Sequence, residues 1–345
     1  MKKKYVLWGF LVFLLSIVVG AMTFCLVRPY FLGEKALYSE RKDNDKTMKE
    51  EDTYFFAGWQ DKPRQRALAV IIDNAEKARP QAGLERADVI VEFPVEGGLT
   101  RFLAIICNDD MDLIGPIRSA RPYFIDLANE YKGILIHAGG SAEALKILQK
   151  ESTDHLDEIN GGVLIASAFW RIPARLKPHN LFTSSDVLRH TVKKLNVNFS
   201  SLPPQRPLLP FGAEVAGKKA EELIIFYAHK SSLARFSFDE EKGVFRRFTT
   251  DNKPHLTSLG EQLQAANVIV QVVPYCYTDG DGHLQLIMHG EGEALIFRKG
   301  KVLQGCWKKM PGEFTMFTDQ KGKQVPLLEG PTWIAVVPRG TRIDY

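Results

Sequence analysis

Two arginines, Arg118 and Arg121, lie in the stretch GPIRSARPYF, where an α-helix is predicted to begin at Pro122. A cation in the first turn of a helix opposes the helix dipole, at a cost of roughly 0.3 to 1 kcal/mol. A partner must offset that cost, either a carboxylate of the same chain or a bound anion that also uses the amides of the helix N-terminus. These residues therefore predict either a structural arginine–carboxylate network or a site that binds a carboxylate or phosphate group.

The stretch EFPVEGGLTRF supplies carboxylates that could pair with these arginines. Glu92 and Glu96 flank a predicted turn, and Arg101 follows on the returning strand. A purely structural network of arginines and glutamates fits this pattern, and so does a ligand site in which Glu96 orients the arginines. In the second case the planar guanidinium groups would bind a carboxylate or phosphate through paired hydrogen bonds.

The stretch HAGGS is a second candidate part of the site. An apolar run ends near His137 and is followed by Gly139, Gly140 and a predicted helix that Ser141 opens. In such a turn between a strand and a helix, glycines let backbone amides approach an anion. A tight turn before an N-cap serine has the same sequence, so both interpretations stay open.

The stretch FWRIPARLKPHNLFTS places Arg171 and other basic residues before His179 and Asn180. These last two could hydrogen-bond a ligand and close the site, or they could only cap the helix that follows. Binding sites are commonly built at strand ends and turns, where most of these residues are predicted to lie. The predicted ligand-binding residues are Glu96, Arg101, Arg118, Ser119, Arg121, His137, Gly139, Gly140, Ser141, Arg171, His179 and Asn180.

Common catalytic and nucleotide-binding signatures are missing from the sequence. It contains no HExxH, GxSxG or CxxC motif, and no GxxxxGK followed by serine or threonine. The alternating carboxylates of DGDGH, residues 279–283, lack the remaining ligands of an EF-hand loop and indicate a hairpin turn. The sequence therefore predicts no metal site and no cofactor.

The N-terminus has the pattern of a membrane anchor. Lysines occupy positions 2–4, and an uncharged, largely apolar run from Tyr5 to Val27 follows, long enough for the roughly 20 helical residues that cross a bilayer. The lysines place residues 1–4 in the cytoplasm and the bulk of the chain outside the cytoplasmic membrane. A cleaved signal peptide is the alternative. Lipid attachment at Cys25 is disfavoured, because Thr23 and Phe24 replace the small residues of a lipobox.

The anchor also accounts for the net charge of +4, through the lysines at positions 2–4 and Arg28. The residues after position 28 therefore carry as many acidic as basic side chains. A neutral extracytoplasmic part argues against nucleic-acid binding, which normally shows a basic surplus. Cys107, Cys276 and Cys306 are predicted to be small buried hydrophobic residues rather than partners in a disulfide.

The remaining chain divides into segments that differ in composition and hydrophobic pattern. Residues 28–62 mix charges of both signs and predict a spacer. Residues 63–199 alternate short apolar runs with helical stretches, which is typical of a mixed α/β domain. A Pro-rich linker is predicted at 200–220, and short strands with glycine turns predict an antiparallel β domain, a barrel or sandwich, at 221–345. The predicted fold class is α+β after one transmembrane helix.

Several long motifs resemble a known family. IIDNAEKARPQAGLERADVIVEFPVEGGLTRF, GPIRSARPYFIDLA, HAGGS and PHNLFTS are similar to the N-terminal part of the YerB-like envelope proteins of Gram-positive bacteria, and LIMHGEGEALIFRKGK, GCWKK and LLEGPTWIAVVP to their second part. The resemblance implies an exported, membrane-attached, two-domain protein without an assigned reaction, with cell-wall or sporulation machinery as its expected context. It implies a lipoprotein, whereas the lipobox is not matched here, and it assigns no catalytic residues.

Three functional hypotheses follow. The first is a non-enzymatic envelope protein that binds an anionic group of a wall polymer or of a partner's acidic peptide through its arginines. The second is a wall-active hydrolase or transferase in which Glu96 or Glu92 acts as general acid or base with His137 or His179 as proton partner. The third is a scaffold of a membrane complex, which would present a flat or apolar contact surface.

Overall fold

The computed structural model describes residues 66–107, 110–151, 153–197, 215–227, 233–277 and 284–345. The predicted cytoplasmic tail, membrane anchor and charged spacer lie outside these ranges, as do the proline run of the linker and the DGDG turn. Within the described ranges no helix is long and apolar enough to span a bilayer.

The N-terminal region alternates short strands with helices, as its sequence predicts. The helix Ala142–Lys150 begins where the Ser141 hydroxyl accepts a hydrogen bond from the Ala144 amide, and the helix Ser185–Lys194 begins in the same way at Ser184. The elements are β1 (Leu68–Asp73), β2 (Val89–Pro94), β3 (Thr100–Ile106), α1 (Pro122–Glu130), β4 (Ile134–His137), α2 (Ala142–Lys150), β5 (His155–Asp157), α3 (Gly162–Ala166), β6 (Trp170–Arg171), β7 (Leu181–Phe182) and α4 (Ser185–Lys194), with short 3-10 helices at Glu76–Ala78, Leu84–Arg86 and Glu96–Gly98.

The C-terminal region consists of strands, which together with the N-terminal elements makes the fold class α+β. These strands are β8 (Lys218–Lys219), β9 (Glu222–Phe226), β10 (Leu233–Asp239), β11 (Val244–Phe248), β12 (Gln264–Ala265), β13 (Asn267–Val273), β14 (Tyr275–Tyr277), β15 (Leu284–Leu286), β16 (Gly290–Arg298), β17 (Lys301–Lys309), β18 (Met316–Asp319), β19 (Thr332–Pro338) and β20 (Arg342–Asp344). The predicted burial of two cysteines is wrong, because Cys276 on β14 and Cys306 on β17 are exposed; Cys107 is buried.

One 11-stranded sheet runs through both regions, in the order β18-β17-β16-β13-β19-β2-β3-β1-β4-β5, with β8 paired to β17. Strand β19 joins the two halves, because it pairs in parallel with β13 on one side and with β2 on the other. β19 is apolar along nearly its whole length and buried on both faces, as interior parallel strands are. Residues that the sequence divides into two domains thus contribute to one sheet.

A second, five-stranded antiparallel sheet of order β12-β11-β10-β9-β20 packs on one face of the central sheet. Its strands alternate buried and partly exposed residues, the pattern of a sheet with one face in the core. Phe236 of this sheet meets Trp333 of β19 with ring centroids 5.5 Å apart, and Trp333 meets Phe102 of β3 at 5.3 Å.

Helices α1 and α2 cover the opposite face of the central sheet. Phe93 of β2 lies 5.0 Å from the Tyr123 ring and 5.1 Å from the Phe124 ring of α1. Side chains alternate along a strand, so neighbouring residues of β2 and β3 enter different cores: Phe102 packs with the five-stranded sheet and Leu103 with the helices. The polar residues near the ends of β2 and β3 therefore face either the five-stranded sheet or the helices.

Candidate functional site

The arginine that caps α1 is paired with a glutamate from the turn between β2 and β3. Arg121 has an extended backbone at the N-cap position, and Glu96 begins the short 3-10 helix of that turn. Nε and Nη2 of Arg121 each donate a hydrogen bond of 2.7 Å to a different oxygen of Glu96. This two-pronged geometry is the strong form of an arginine–carboxylate pair. For Arg121, an internal carboxylate offsets the unfavourable helix dipole.

Mutual stabilisation keeps this pair ionised. Burial alone would raise the pKa of the Glu96 carboxyl, but the hydrogen bonds and charge of Arg121 outweigh it, so that the pKa lies below its usual range. Burial likewise opposes the charge of Arg121, and Glu96 overcomes it and raises the arginine pKa. The side chains keep 14% and 25% of their surface exposed, respectively, so solvent reaches the pair.

A second carboxylate, Asp73 at the end of β1, contacts an arginine and a histidine at once. Its Oδ2 lies 3.1 Å from Nε of Arg118 and 2.7 Å from Nδ1 of His179. Its other oxygen accepts a hydrogen bond of 3.0 Å from the Ala75 amide. The carboxylate is 3% exposed, whereas Arg118 and His179 keep 20% and 15% of their side-chain surface exposed. Arg118 and His179 are thus brought together, as the sequence predicts for two members of one site.

Arg101 on β3 is the third arginine of the group and has no carboxylate of its own. Its Nη1 donates a hydrogen bond of 2.9 Å to the Ser119 carbonyl, and in the described part of the chain it forms no ion pair within 4.0 Å. Burial, together with the charges of Arg121 and Arg118, lowers the pKa of Arg101 to about 10. The side chain still carries its charge at neutral pH.

We call Arg101, Arg118 and Arg121 with their two carboxylates, Asp73 and Glu96, the arginine cluster. Three guanidinium groups face two carboxylates, so the cluster has a surplus positive charge even with His179 neutral. The three arginines come from β3, from the chain before α1 and from the N-cap of α1. The three arginine side chains lie close together, as the sequence predicts.

The HAGGS turn uses the Gly139 and Ser141 amides within the fold. The Gly139 amide donates a hydrogen bond of 2.7 Å to Oδ1 of Asp157, and Gly140 forms a backbone bridge with Ala120. The Ser141 amide donates to the Ala120 carbonyl, and the Ser141 hydroxyl is used as the cap of α2. The Gly139 amide and the amide and hydroxyl of Ser141 are thus satisfied within the fold, which corrects the expectation that Gly139 and Ser141 assist an anion, whereas for Gly140 it stays a prediction.

His137 is also committed to the interior. The side chain is fully buried, with Nδ1 2.8 Å from the Gly139 carbonyl and Nε2 3.0 Å from Nδ1 of His155. Burial lowers the pKa of His137, so the ring stays neutral at neutral pH. The expectation of an open site with His137 as ligand or proton partner is corrected accordingly.

The remaining predicted residues lie around His179. Arg171 donates a hydrogen bond of 3.2 Å to the side-chain oxygen of Asn180 and lies 3.3 Å from a carboxylate oxygen of Glu158. Asn180 is buried, whereas Arg171 is exposed. These bonds brace the β6–β7 hairpin, from which His179 reaches Asp73. Ser119 takes part through its backbone carbonyl rather than its hydroxyl.

Glu92 is no candidate for a general acid or base in an open cleft. It is 1% exposed, and Nη2 of Arg247 donates to both of its oxygens at 2.8 Å. The Thr100 hydroxyl and the Asn74 amide donate to the same carboxylate at 2.8 and 3.2 Å. No histidine in the described residues contacts Glu92 or Glu96, so the predicted glutamate–histidine pairs do not form. His179 contacts the carboxylate of Asp73 instead.

A buried network that sequence analysis missed continues from Glu92. Nη1 of Arg247 lies 3.0 Å from Nδ1 of His255, whose Nε2 lies 2.9 Å from Oε1 of Gln81. Burial, with the charges of Arg247 and Arg79, lowers the pKa of His255 well below its usual range. The one local signal for Arg247 is its place on β11, two residues from the buried Phe245 and therefore on the same inward face. We call Glu92, Asn74, Thr100, Gln81, Arg247 and His255 the buried network.

Comparison with known proteins places the chain in a family. The model described as "Protein of unknown function (DUF3048) N-terminal domain" matches residues 56–198, and the DUF3048 C-terminal domain matches residues 223–334. The putative lipoprotein YerB of Bacillus subtilis (strain 168) is 30% identical over 282 residues, which are 79% of this chain and 82% of that protein. The crystal structure of YerB from Bacillus subtilis has a TM-score of 0.73 at 27% identity, covering 87% of this chain and 97% of the other. This chain belongs to the YerB-like, two-part DUF3048 family of proteins of unknown function.

Proposed function

We propose that this protein is a membrane-anchored envelope protein that recognises an anionic group through its arginine cluster. The relative from Bacillus subtilis is named a putative lipoprotein, which supports attachment to the cytoplasmic membrane with the bulk of the chain outside. The apolar run at residues 5–27 supports the same placement. The role is that of a binding or accessory protein in cell-wall or sporulation processes.

The observation that carries this proposal is the surplus charge at Arg101. A buried charge is costly unless a counter-charge balances it. Arg101 is 9% exposed and donates to one carbonyl, and the repulsion of Arg121 and Arg118 beside it exceeds the attraction of Asp73. A bound carboxylate or phosphate would supply the missing negative charge. Without such a ligand the three arginines repel one another at a cost in stability.

Access and geometry support an exogenous anion. Arg118 and Arg121 both keep part of their side chains exposed, so a ligand can reach the cluster from solvent. Guanidinium groups bind carboxylate and phosphate through paired hydrogen bonds, and several of them together favour a doubly charged or branched anionic group. Wall polymers and acidic peptides of envelope partners both carry groups of this kind.

The test is capture on anionic wall material. Full-length protein in detergent is incubated with purified wall material and with the same material after its phosphates and carboxylates have been removed or amidated. We expect capture of the wild type on the untreated material alone, and its loss in Arg101→Met. Arg298→Met is the matched control, because Arg298 is also buried and donates to one carbonyl, that of Pro326 on a distant strand connection. Equal capture of both variants would contradict the proposal and favour a structural scaffold.

A second candidate function, acid–base catalysis, is favoured by the contact between His179 and Asp73. The carboxylate holds Nδ1 of the imidazole at 2.7 Å, and Nε2 has no hydrogen-bond partner in the described residues. That arrangement orients a histidine for proton transfer beside an anion site. Release of soluble product from labelled wall material by the wild type, abolished in His179→Gln, would support catalysis. No product from the wild type would leave binding as the function.

A further inference from the structure

A group of apolar side chains is exposed in the chain between β5 and β7. Its members are Ile159, Val163, Leu164, Trp170 and Leu176, and the exposed fraction reaches 63% at Ile159, 79% at Leu176 and 89% at Val163. Single exposed hydrophobic residues are ordinary, whereas a group of them close together marks a contact surface. We call residues 159–177, which contain this group, the apolar segment.

Helix α3 lies within the apolar segment and exposes apolar side chains to solvent. Its five residues are glycine, valine, leucine, isoleucine and alanine, and none of them is buried. Ile165 packs partly against the core, which leaves Val163 and Leu164 on the outer side of the helix. A helix of this composition has no polar face for water, so its exposed side suits an apolar environment.

The fold holds the apolar segment in a defined conformation. Oδ1 of Asp157 accepts a hydrogen bond of 3.0 Å from the Ile159 amide, and Nη2 of Arg171 lies 3.3 Å from a carboxylate oxygen of Glu158. The second contact brings strand β6 beside the start of the segment. Both Nη atoms of Arg175 donate to backbone carbonyls of the β1–β2 connection, at 2.9 and 2.6 Å. The exposed apolar side chains therefore belong to a formed surface.

The apolar segment also carries a local surplus of positive charge. Residues 159–185 contain no aspartate or glutamate, whereas Arg171, Arg175 and Lys177 are basic. Arg171 meets Glu158 just before the segment, but Arg175 donates to carbonyls and Lys177 is exposed. The chain after position 28 is neutral as a whole, so this surplus is a property of the segment.

Apolar side chains with basic residues beside them fit the surface of an anionic bilayer. Aliphatic side chains and tryptophan enter the boundary between headgroups and acyl chains, while arginine and lysine reach lipid phosphates. A second copy of this chain fits less well, because a symmetric dimer through the segment would bring the basic residues of both copies together. The bilayer is also the partner that the proposed membrane anchor keeps nearby.

The chain that precedes the described residues is long enough for the apolar segment to reach the bilayer. Strands β1, β4 and β5 are parallel, so the segment, which follows β5, lies at the opposite end of these strands from Arg66. Residues 29–65 connect Arg66 to the apolar run, and that many residues can span at most roughly 130 Å. A tethered contact forms at an effective concentration in the millimolar range, so a weak affinity is sufficient.

We propose that the apolar segment is a second membrane contact, which docks on a bilayer that contains anionic lipids. Val163, Leu164 and Leu176 enter the boundary between headgroups and acyl chains, and Arg171 and Lys177 contact lipid phosphates. The inference rests on the placement of the chain at the membrane and not on anion recognition by the arginine cluster. Docking would also orient that cluster, because the carboxylate at the end of β1 lies at the same end of the parallel strands.

The test is quenching of a fluorescent probe on the full-length protein in vesicles of phosphatidylcholine and phosphatidylglycerol with brominated acyl chains. The probe is attached at Leu164→Cys, or at Met316→Cys as the matched control, after Cys25, Cys276 and Cys306 have been replaced by serine. Leu164 and Met316 are 40% and 39% exposed, and Met316 lies on β18, at the opposite edge of the central sheet from β5. We expect bromine to lower the emission at position 164 at least about twofold and to leave that at position 316 unchanged.

A variant with two added carboxylates tests the role of the apolar side chains. Val163→Asp with Leu176→Asp should reduce the quenching at position 164 to the level of the control, because a carboxylate is excluded from the acyl boundary and repelled by anionic lipid. Both side chains are largely exposed, so the unfolding temperature should not change. Vesicles of phosphatidylcholine alone should give weaker quenching, since the basic residues then lose their anionic partners.

Four results would overturn the membrane contact. The first is equal quenching at positions 164 and 316, and the second is unchanged quenching in the folded Val163→Asp, Leu176→Asp variant. The third is equal quenching with and without phosphatidylglycerol, which would remove the role of charge. The fourth is energy transfer between copies labelled at position 164 without quenching by lipid, because the segment would then be an interface between copies. Arg101→Met should keep the quenching, so this proposal and anion capture by the arginine cluster fail separately.

Discussion

Two glutamates that are close in the chain, Glu92 on β2 and Glu96 in the turn after it, each pair with an arginine from another element, and the two pairs differ in their surroundings. Glu92 and Arg247 are each 1% exposed, and the carboxylate is saturated by hydrogen bonds from its own chain. Glu96 and Arg121 are partly exposed and lie beside a further buried cation, Arg101. The same residue types therefore brace the fold where they are sealed from solvent and form a candidate ligand site where they are open to it.

The buried network also has a clear structural role. The Arg247 guanidinium lies 4.8 Å from the centre of the Trp333 ring, 5.5 Å from that of Phe102 and 5.6 Å from that of Phe236. Stacking on aromatic faces adds to its bond with Glu92. Because these rings belong to both sheets, Arg247 joins the five-stranded sheet to the central one. The arginine cluster has no comparable apolar surroundings among its described contacts.

The largest expected effect is that of Glu92→Gln, which leaves Arg247 as an unbalanced buried charge. We expect a loss of about 3 to 5 kcal/mol in the free energy of unfolding, measured by urea titration. The double variant Glu92→Leu with Arg247→Met should recover most of that loss, because both charges are removed together. A loss in unfolding free energy below about 1 kcal/mol for Glu92→Gln would show that Arg247 does not depend on Glu92 for its buried charge.

The buried network should also set the acid side of the stability profile through His255. The pKa of His255 is lowered in the folded protein, so on acidification the unfolded chain takes up a proton at this histidine before the folded chain does. Stability from this group is present above the unfolded pKa of about 6.5 and is lost as the pH falls below it. His255→Gln should therefore flatten the loss of stability below about pH 6.5. An unchanged slope would assign that loss to His137 and His155 instead.

A smaller effect is expected at Glu96, since its pair with Arg121 is partly solvated. Glu96→Gln should cost about 1 kcal/mol or less in unfolding free energy near neutral pH. The folded pKa of Glu96 is depressed, so its contribution is present above the ordinary pKa and is lost as the pH falls through the folded value. The variant should accordingly be less sensitive to acid than the wild type. A loss as large as that of Glu92→Gln would erase the distinction between the two pairs.

Local patterns predicted much of this arrangement. Pro122 at the first position of α1 and the cap serines of α2 and α4 mark the helix starts, and the runs of apolar residues mark most strands. The approach of Arg101, Arg118 and Arg121 follows from their places at strand ends and at one helix start. Short-range rules suffice for these features because the residues concerned are close in sequence.

The features that sequence analysis missed depend on contacts between distant segments. Glu92 and Arg247 are 155 residues apart, and the local sequence around each residue does not indicate that the two side chains meet. Strand β19 is almost entirely apolar, so its sequence pattern predicts a buried strand. The pattern does not predict that this strand joins the two predicted domains. The glycines of HAGGS suggested an anion site because the acceptor of the Gly139 amide could not be read from the local sequence. That acceptor is the Asp157 carboxylate, 18 residues further along the chain.

The measurement that tests the central claim most directly is the thermal unfolding of Arg101→Met with and without inorganic phosphate, at constant ionic strength. If Arg101 is a surplus cation kept for an anion, the variant should be at least as stable as the wild type without phosphate, because repulsion within the cluster is relieved. It should also lose the phosphate-dependent rise in unfolding temperature that the wild type shows, whereas Arg298→Met should retain it. A variant that is less stable in both conditions, with an unchanged response to phosphate, would show that Arg101 only braces the fold.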